Sequence, residues 1–280
     1  MAETNAFGIA GLLGWPVAHS RSPTIHNYWL KEHGLAGRYV LFAVPPEKLS
    51  IALPGLAALG LRGCNVTTPH KQAVMSMIHS IEPLARRIGA VNTIVVEKDG
   101  SLKGFNNDGN GFIQSLRDAR PTWRPDTGPI VVLGAGGAAR AVVASLADQG
   151  AREIRIVNRT ADRAQAIVSE YGPPVTAYAW EQRSEILADV ALLANCTNQG
   201  MAGKPALEIN LDRLAPGAIV GDLIYTPLET PLLAAARARG NLTVNGLGLL
   251  LNQARPAFQA WFGTLPDISP GLLQAVAATF

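Results

Sequence analysis

The sequence predicts a two-domain α/β protein, with an N-terminal mixed-sheet unit followed by a doubly wound parallel sheet. Three observations predict it. A length of 280 residues is generous for one core and comfortable for two. Short apolar runs alternate with helical patterns, most regularly after residue 130, which is the rhythm of βαβ units. A strand–turn–strand signal near residues 91–105 interrupts that rhythm and adds an antiparallel element to the first half.

Element by element, Phe7–Leu13 is an apolar run closed by Gly14, as in a buried strand. A polar loop runs from Trp15 to Ser22, and Pro23 stands where the first turn of a helix accepts proline. Strands are predicted at Arg38–Val44, Arg62–Val66 and Val91–Glu97, with helices at Pro46–Leu59 and around Pro69–Ile78. Lys98-Asp99-Gly100 is a turn that pairs Val91–Glu97 with Leu102–Phe105. Asn107-Asp108-Gly109 opens a helix to about Ala119, and residues 120–129 are rich in proline and turn formers.

In the second half, strands are predicted at Ile130–Leu133, Glu153–Val157, Val175–Tyr178, Val190–Asn195 and Ala218–Asp222, with helices between. A last strand, Asn241–Asn245, precedes helices at about Leu247–Trp261 and Pro270–Thr279. The domains are expected at 1–107, completed by helices within 246–280, and at 108–245, with catalysis in a cleft between them.

Composition excludes several classes of function. The hydrophobic fraction is 48% and the charged fraction 16%, which describes a chain that builds cores. The net charge of +3 is mild and its basic residues are dispersed, so no nucleic acid partner is expected; a small anionic ligand suits it better. No apolar stretch is long enough to span a bilayer. Cys64 and Cys196 are too few for a disulfide framework, and Met1–Asn5 lacks the features of a secretion signal. A cytoplasmic protein is expected, as a monomer or homodimer. His26 and His33 are two helical turns apart and no carboxylates or cysteines complete a ligand set, so no metal is expected.

Pro129–Leu133 runs into Gly134-Ala135-Gly136-Gly137-Ala138-Ala139 and then a helical pattern. This is G-x-G-x-x-A between strand and helix, which marks the second domain as Rossmann-type. The first glycine allows the turn, the second lets the backbone approach a pyrophosphate, and Ala139 keeps helix and strand close. The next strand ends at Asn158-Arg159-Thr160, where an acid would bind the ribose of NAD. Arg159 stands there instead, with Arg163 one turn on, and forked guanidinium groups match a 2′-phosphate. The cofactor expected is NADP(H).

Several motifs together resemble those of the shikimate dehydrogenase family: Gly14-Trp-Pro-Val-Ala-His-Ser-Arg-Ser-Pro23, Asn65-Val-Thr-Thr-Pro-His-Lys71, Gly89-Ala-Val-Asn-Thr93, Asn106-Asn-Asp-Gly109 and Asn158-Arg-Thr160. The resemblance runs from Phe7 to the C-terminal helices. It implies reversible, NADPH-dependent reduction of 3-dehydroshikimate to shikimate in aromatic amino-acid biosynthesis. It further implies that Lys71 is the acid/base catalyst and that Asp108 binds ring hydroxyls and holds Lys71. By the same resemblance Ser20 and Ser22 take the ring carboxylate, Thr67, Asn92 and Gln253 the hydroxyls, and Tyr225 lies on the substrate side. Leu223 and Gly246 are placed along the nicotinamide. Read alone, Lys71 is also compatible with a surface lysine and Asp108 with a helix cap.

Four positions depart from the family pattern: Asn107 for the usual Thr, Asn198 for Ser or Pro, Asn245 for Asp, and Leu249 for Met. They keep open a paralogue acting on quinate or an aminoshikimate-like ring. A non-catalytic NADP-sensing module is the third alternative, and the presence of both Lys71 and Asp108 argues against it.

Overall fold

The computed structural model describes residues 7–280, so the expectation for Met1–Asn5 lies outside the described residues. The chain divides into two compact units, Met1–Asn107 with Gln253–Phe280, and Asp108–Asn252. The second division falls inside the helix Gly246–Phe262, where the strand–helix rhythm set it at 245/246. A helix belongs to what its side chains pack against. Within the second unit, a Cβ on Gly248 would come 2.7 Å from the Ser115 Cβ, and Asn252 donates to Asp118 at 2.7 Å.

The first unit is built on a six-stranded mixed sheet. Its strands are β1 (Gly8–Gly14), β2 (Gly37–Ala43), β3 (Gly63–Val66), β4 (Ser80–Ile81), β5 (Thr93–Val96) and β6 (Leu102–Phe105), in the order β2-β1-β3-β5-β6-β4. β1 is parallel to β2 and β3, whereas β5 runs antiparallel to β3 and β6. The antiparallel pairings of β5, with β3 on one side and through the Lys98–Gly100 turn with β6 on the other, make the sheet mixed. One core cluster joins Leu13, Cys64, Val66 and Ile94 of the sheet to Leu49, Leu53 and Leu56. A second joins Ala10, Leu12 and Tyr39 to Ala257 and Trp261 of the C-terminal helix.

Helices α1 (Ser22–Glu32) and α2 (Leu49–Ala58) occur close to their predicted places, α2 after a 3₁₀ turn at Pro46–Lys48. The helix expected around Pro69–Ile78 is absent; the segment is a loop with one 3₁₀ turn at Ala73–Ser76. Tertiary bonds claim its backbone and side chains instead. Val91 N–H donates to the Lys71 carbonyl at 2.8 Å, and His70 Nε2 meets the Val44 carbonyl at 2.7 Å, which requires that nitrogen to donate. The sequence reading also missed the short helix α3 (Pro83–Ile88). Its Glu82 cap accepts from Leu84 and Ala85, and left-handed Gly89 ends it.

His26 of α1 is fully buried, stacked on Tyr39 with centroids 4.1 Å apart and planes 5° off parallel. Burial pushes its imidazole down from 6.5 to about 3. Between those values the unfolded chain binds the proton and the folded chain does not. The stability held by neutral His26 is therefore complete above about pH 6.5 and declines as pH falls toward 3. The slope approaches ~1.4 kcal/mol per pH unit. Urea midpoints measured from pH 7.5 to 4.5 are expected to fall less steeply for His26→Phe than for the parent; equal slopes would remove His26 as the cause.

The second unit is an all-parallel six-stranded sheet. Its strands are β7 (Ile130–Leu133), β8 (Ile154–Val157), β9 (Val175–Tyr178), β10 (Leu192–Asn195), β11 (Ile219–Asp222) and β12 (Leu242–Val244). The order β12-β11-β10-β7-β8-β9 reverses direction between β7 and β10, which is the switch point of a doubly wound sheet. Every residue of β7, β8, β10 and β11 is buried, as expected of strands covered on both faces. Helices α4 (Asp108–Ala119), α5 (Gly137–Asp148) and α6 (Ala161–Tyr171) contribute Phe112, Leu116, Val142, Val143 and Ile167 to one core. Helix α7 (Pro231–Ala238) contributes Leu232 and Leu233 to the other, and α8 (Gly246–Phe262) and α9 (Pro270–Ala277) complete the chain. Arg155 within β8 is neutralised by a two-pronged bond to Asp189 at 2.6 and 2.8 Å and by Glu153 at 2.7 Å.

Candidate active site

In the first unit, strand direction gathers the motif residues at one end of the sheet. β1 and β3 are parallel neighbours paired Leu13 with Val66, so the loops that follow both leave from the same edge. The glycine between β1 and its loop is needed for that approach: a Cβ on Gly14 would sit 2.4 Å from Thr67 Cγ2. The first loop carries Ser20 and leads into Ser22, the first residue of α1, and the two hydroxyls lie 3.2 Å apart. The second carries Thr67 and half-buried Lys71. Because β5 is antiparallel to β3, with Asn65 opposite Thr93, Asn92 precedes β5 at this same edge. β6 runs antiparallel to β5, with Phe105 opposite Thr93, so Asn106 and Asn107 emerge there as well. Asn92 Nδ2 lies 3.4 Å from Gln253 Oε1, which brings the late helix into the group.

His70 is buried and spent on the Val44 carbonyl, and His19 is exposed. Among the described residues, no group of three or more His, Cys, Asp or Glu could hold a metal ion.

In the second unit, the turn from β7 into α5 has the form a dinucleotide requires. Gly134 adopts φ +107°, and a Cβ there would lie 3.1 Å from the Cys196 carbonyl at the end of β10. The loop is thus pressed against the switch point. Gly136 caps α5 with no side-chain bond, and positions where Cβ atoms of Gly136 and Gly137 would stand have no atom within 4 Å. Open space and helix-start N–H groups together suit a pyrophosphate. Ala139 is fully buried.

Beside this loop lies a cavity of about 170 Å³, lined by Asn158, Arg159, Thr160, Arg163, Trp180, Thr197, Asn198 and Gln199. Asn158 Nδ2 donates to the Thr160 carbonyl at 2.8 Å and shapes the start of α6. Arg159 and Arg163 are both exposed at the cavity, two cations with no acid at the strand tip. The residues fit a 2′-phosphorylated dinucleotide.

The sequence reading missed Trp180, Thr197 and Gln199 as lining residues, and treated Asn198 only as a departure. The end of β10, across the switch point from the glycine loop, was the available signal for the last three. Trp180 had none, since it arrives from the distant segment after β9.

Leu223 and Gly246 are brought together. A Cβ on Gly246 would lie 2.1 Å from the Leu223 carbonyl, so only glycine fits, and Gly246 N–H donates to the Ile224 carbonyl at 2.9 Å. Buried Asp222, also missed from the sequence, braces this turn. It accepts from Thr230 at 2.7 Å, from Asn195 at 3.1 Å and from Ile224 N–H at 3.1 Å, while burial pushes its carboxyl above the usual range. Tyr225 follows, half-buried.

Comparison with known proteins agrees with both halves. Residues 12–94 match the family described as shikimate dehydrogenase substrate binding domain, and residues 124–204 match shikimate / quinate 5-dehydrogenase. A shikimate dehydrogenase (NADP(+)) of Paramagnetospirillum magneticum is 52% identical over 264 residues, covering 94% of this chain and 96% of the relative. The crystal structure of shikimate 5-dehydrogenase from Thermus thermophilus, in complex with NADP(H) and shikimate, superposes with a TM-score of 0.87 at 37% identity, covering 98% of this chain and 100% of that one. Quinate dehydrogenase from Corynebacterium glutamicum, in complex with NAD, gives 0.89 at 29% identity, covering 98% and 100%. With half its residues shared along nearly the whole length, with the motif loops gathered at one end of the first unit's sheet and an arginine-lined cavity in the second unit, the chain belongs to the shikimate dehydrogenase family.

Proposed function

We propose that this protein catalyses the reversible reduction of 3-dehydroshikimate to shikimate with NADPH, in the route to chorismate and the aromatic amino acids. The observation that carries the reading is the set Ser20, Ser22, Thr67, Lys71, Asn92 and Gln253 on segments that converge at one end of the first sheet. Hydroxyls, amides and one ammonium are what a carboxylated polyol needs, because each unmatched buried polar group costs about 1–3 kcal/mol.

In the proposed mechanism Ser20 and Ser22 donate to the ring carboxylate, and Thr67, Asn92 and Gln253 orient the ring hydroxyls. The nicotinamide dinucleotide, when bound, supplies the hydride. Negative charge then grows on the carbonyl oxygen, and Lys71 stabilises it and delivers the proton that completes the alcohol. In the oxidative direction Lys71 takes that proton back. Asp108 accepts from a ring hydroxyl and holds the Lys71 ammonium. Arg159 and Arg163 take the 2′-phosphate, with Asn158 and Thr160 beside them, and Gly134, Ala135, Gly136, Gly137 and Ala138 cradle the pyrophosphate. Leu223 and Gly246 present a flat wall to the nicotinamide, with Tyr225 on the substrate side.

A cytoplasmic location belongs to the same reading: Cys64 and Cys196 are free thiols, as a reducing compartment keeps them. Among the described residues no helix is long and apolar enough to cross a membrane. The reading places no demand on assembly beyond a monomer or homodimer.

The test is a two-by-two comparison of shikimate and quinate, each with NADP⁺ and NAD⁺. The expected result is the highest kcat/KM for shikimate with NADP⁺. A clear preference for quinate with NAD⁺ would overturn both assignments.

A further inference from the structure

Behind Asn92 lies a buried polar network whose hydrogen-bond polarity is set by two backbone groups. Asn65 has one amide atom 3.2 Å from the Asn92 carbonyl oxygen, which can only accept. That atom is therefore Nδ2, and Oδ1 is the atom 2.7 Å from the Tyr39 hydroxyl, which must donate. Asn92 has one amide atom 3.0 Å from the backbone N–H of Asn107, which can only donate, so that atom is Oδ1.

Thr93 closes the circuit. Its hydroxyl is 2.8 Å from Asn92 Oδ1 and must donate to it, which leaves its oxygen to accept from Asn65 Nδ2 at 3.1 Å and from the Asn107 side chain at 3.2 Å. Asn107 thereby turns its Nδ2 toward Thr93. With Oδ1 of Asn92 twice engaged, its amide NH₂ is the end that meets Gln253, at 3.4 Å from an atom that must be Oε1. Tyr39, Asn65, Asn92 and Thr93 are each at most 5% exposed, so water does not compete for these bonds. Burial also raises the Tyr39 phenol well above 10, which keeps it a donor.

We infer that Tyr39, Asn65, Thr93 and Asn107 are positioning residues that lock the Asn92 amide with its NH₂ on the Gln253 side, so that a ring group recognised by that end must be a hydrogen-bond acceptor. This rests on the reading of Asn92 as a ring-binding residue. It gives Asn107 a role different from that of a direct ring contact: its longer side chain supports Thr93 from behind. It also disfavours rings carrying an ammonium in place of the oxygen at this position, because two donors would then face each other.

The experiment compares Thr93→Val, which keeps shape and loses the hydroxyl, with Thr93→Ser, which restores it. Thr93→Val is expected to raise KM for shikimate about tenfold, with KM for NADP⁺ changed less than about twofold and Thr93→Ser close to the parent. A general loss of packing would move both KM values together. Asn107→Ala, at a half-buried site, keeps the backbone N–H and is expected to raise KM for shikimate about threefold. It carries the test if Thr93→Val does not fold.

Asn92→Ala and Asn92→Asp separate the possible failures. Asn92→Ala is expected to raise KM for shikimate at least as much as Thr93→Val, and Asn92→Asp, which presents an acceptor, to do no better. Should Asn92→Ala raise KM while Thr93→Val and Asn107→Ala leave it unchanged, the positioning role is overturned and the ring-binding role stands. An Asn92→Asp variant with parental KM overturns the polarity. An Asn92→Ala variant with parental KM overturns the ring-binding role of Asn92 and this inference with it.

Discussion

Replacing Lys71 by alanine is expected to lower kcat by about 10²–10⁴-fold, the range supplied by a positioned acid/base group, while the affinities for shikimate and NADP⁺ change only a few-fold. The split follows from what the ammonium does. Charge on the carbonyl oxygen is small in the bound ketone and large as hydride arrives, so the interaction is strongest in the transition state and its loss falls on kcat. The geometry favours the comparison, because the Lys71 carbonyl accepts from Val91 N–H, a backbone bond that alanine keeps. Alanine should therefore leave the loop in place. Turnover near the parental rate in Lys71→Ala would sink the role assigned to this residue. Lys71→Arg sharpens the result: it keeps the charge but gives up a proton far less readily, and is expected to recover little of the lost kcat.

Replacing both Arg159 and Arg163 by alanine is the second large effect expected, a rise of about 10²-fold or more in KM for NADP⁺ with KM for NAD⁺ nearly unchanged. A hydrogen bond to a charged group contributes about 1.5–3 kcal/mol, so losing both guanidinium groups costs at least two orders of magnitude. The two side chains line the same cavity of about 170 Å³ and are exposed there, so stability should scarcely move. The single variants rank the two residues. Equal losses for NADP⁺ and NAD⁺ would mean that the arginines hold some other part of the dinucleotide.

The parts of this fold legible in the sequence were those determined by neighbours in the chain. The apolar runs of the Rossmann strands stand out because they are buried on both faces, and Gly134–Ala139 is legible because turn, cradle and helix start occupy consecutive residues. The segment 69–78 misled because its local pattern is helical while its bonds go to Val44 and Val91, far away in sequence. α3 was legible in principle, with Pro83 at its first turn and Gly89 at its end, but a six-residue helix is too short for periodicity to show. Of the site, the motif residues were visible and their support was not. Asn65 and Thr93 meet only because β3 and β5 pair in that register, and Asp222 reaches Thr230 only after the chain has turned back.

The exposed position of Arg159 and Arg163 has a consequence for how such a protein can change over generations. Both sit on the first turn of α6 or just before it, outside every core cluster, so their exchange carries little penalty for folding. Thr93, Asn65 and Tyr39 have no such liberty, since each is bonded to another within the packed interior of the first unit. With the site residues proposed above, coenzyme preference is therefore open to drift one surface substitution at a time, whereas the end of the first sheet assigned to the ring can change only by concerted replacement of several buried groups. Diversification of the lineage is expected to come more readily through the dinucleotide than through the buried network behind the proposed ring site.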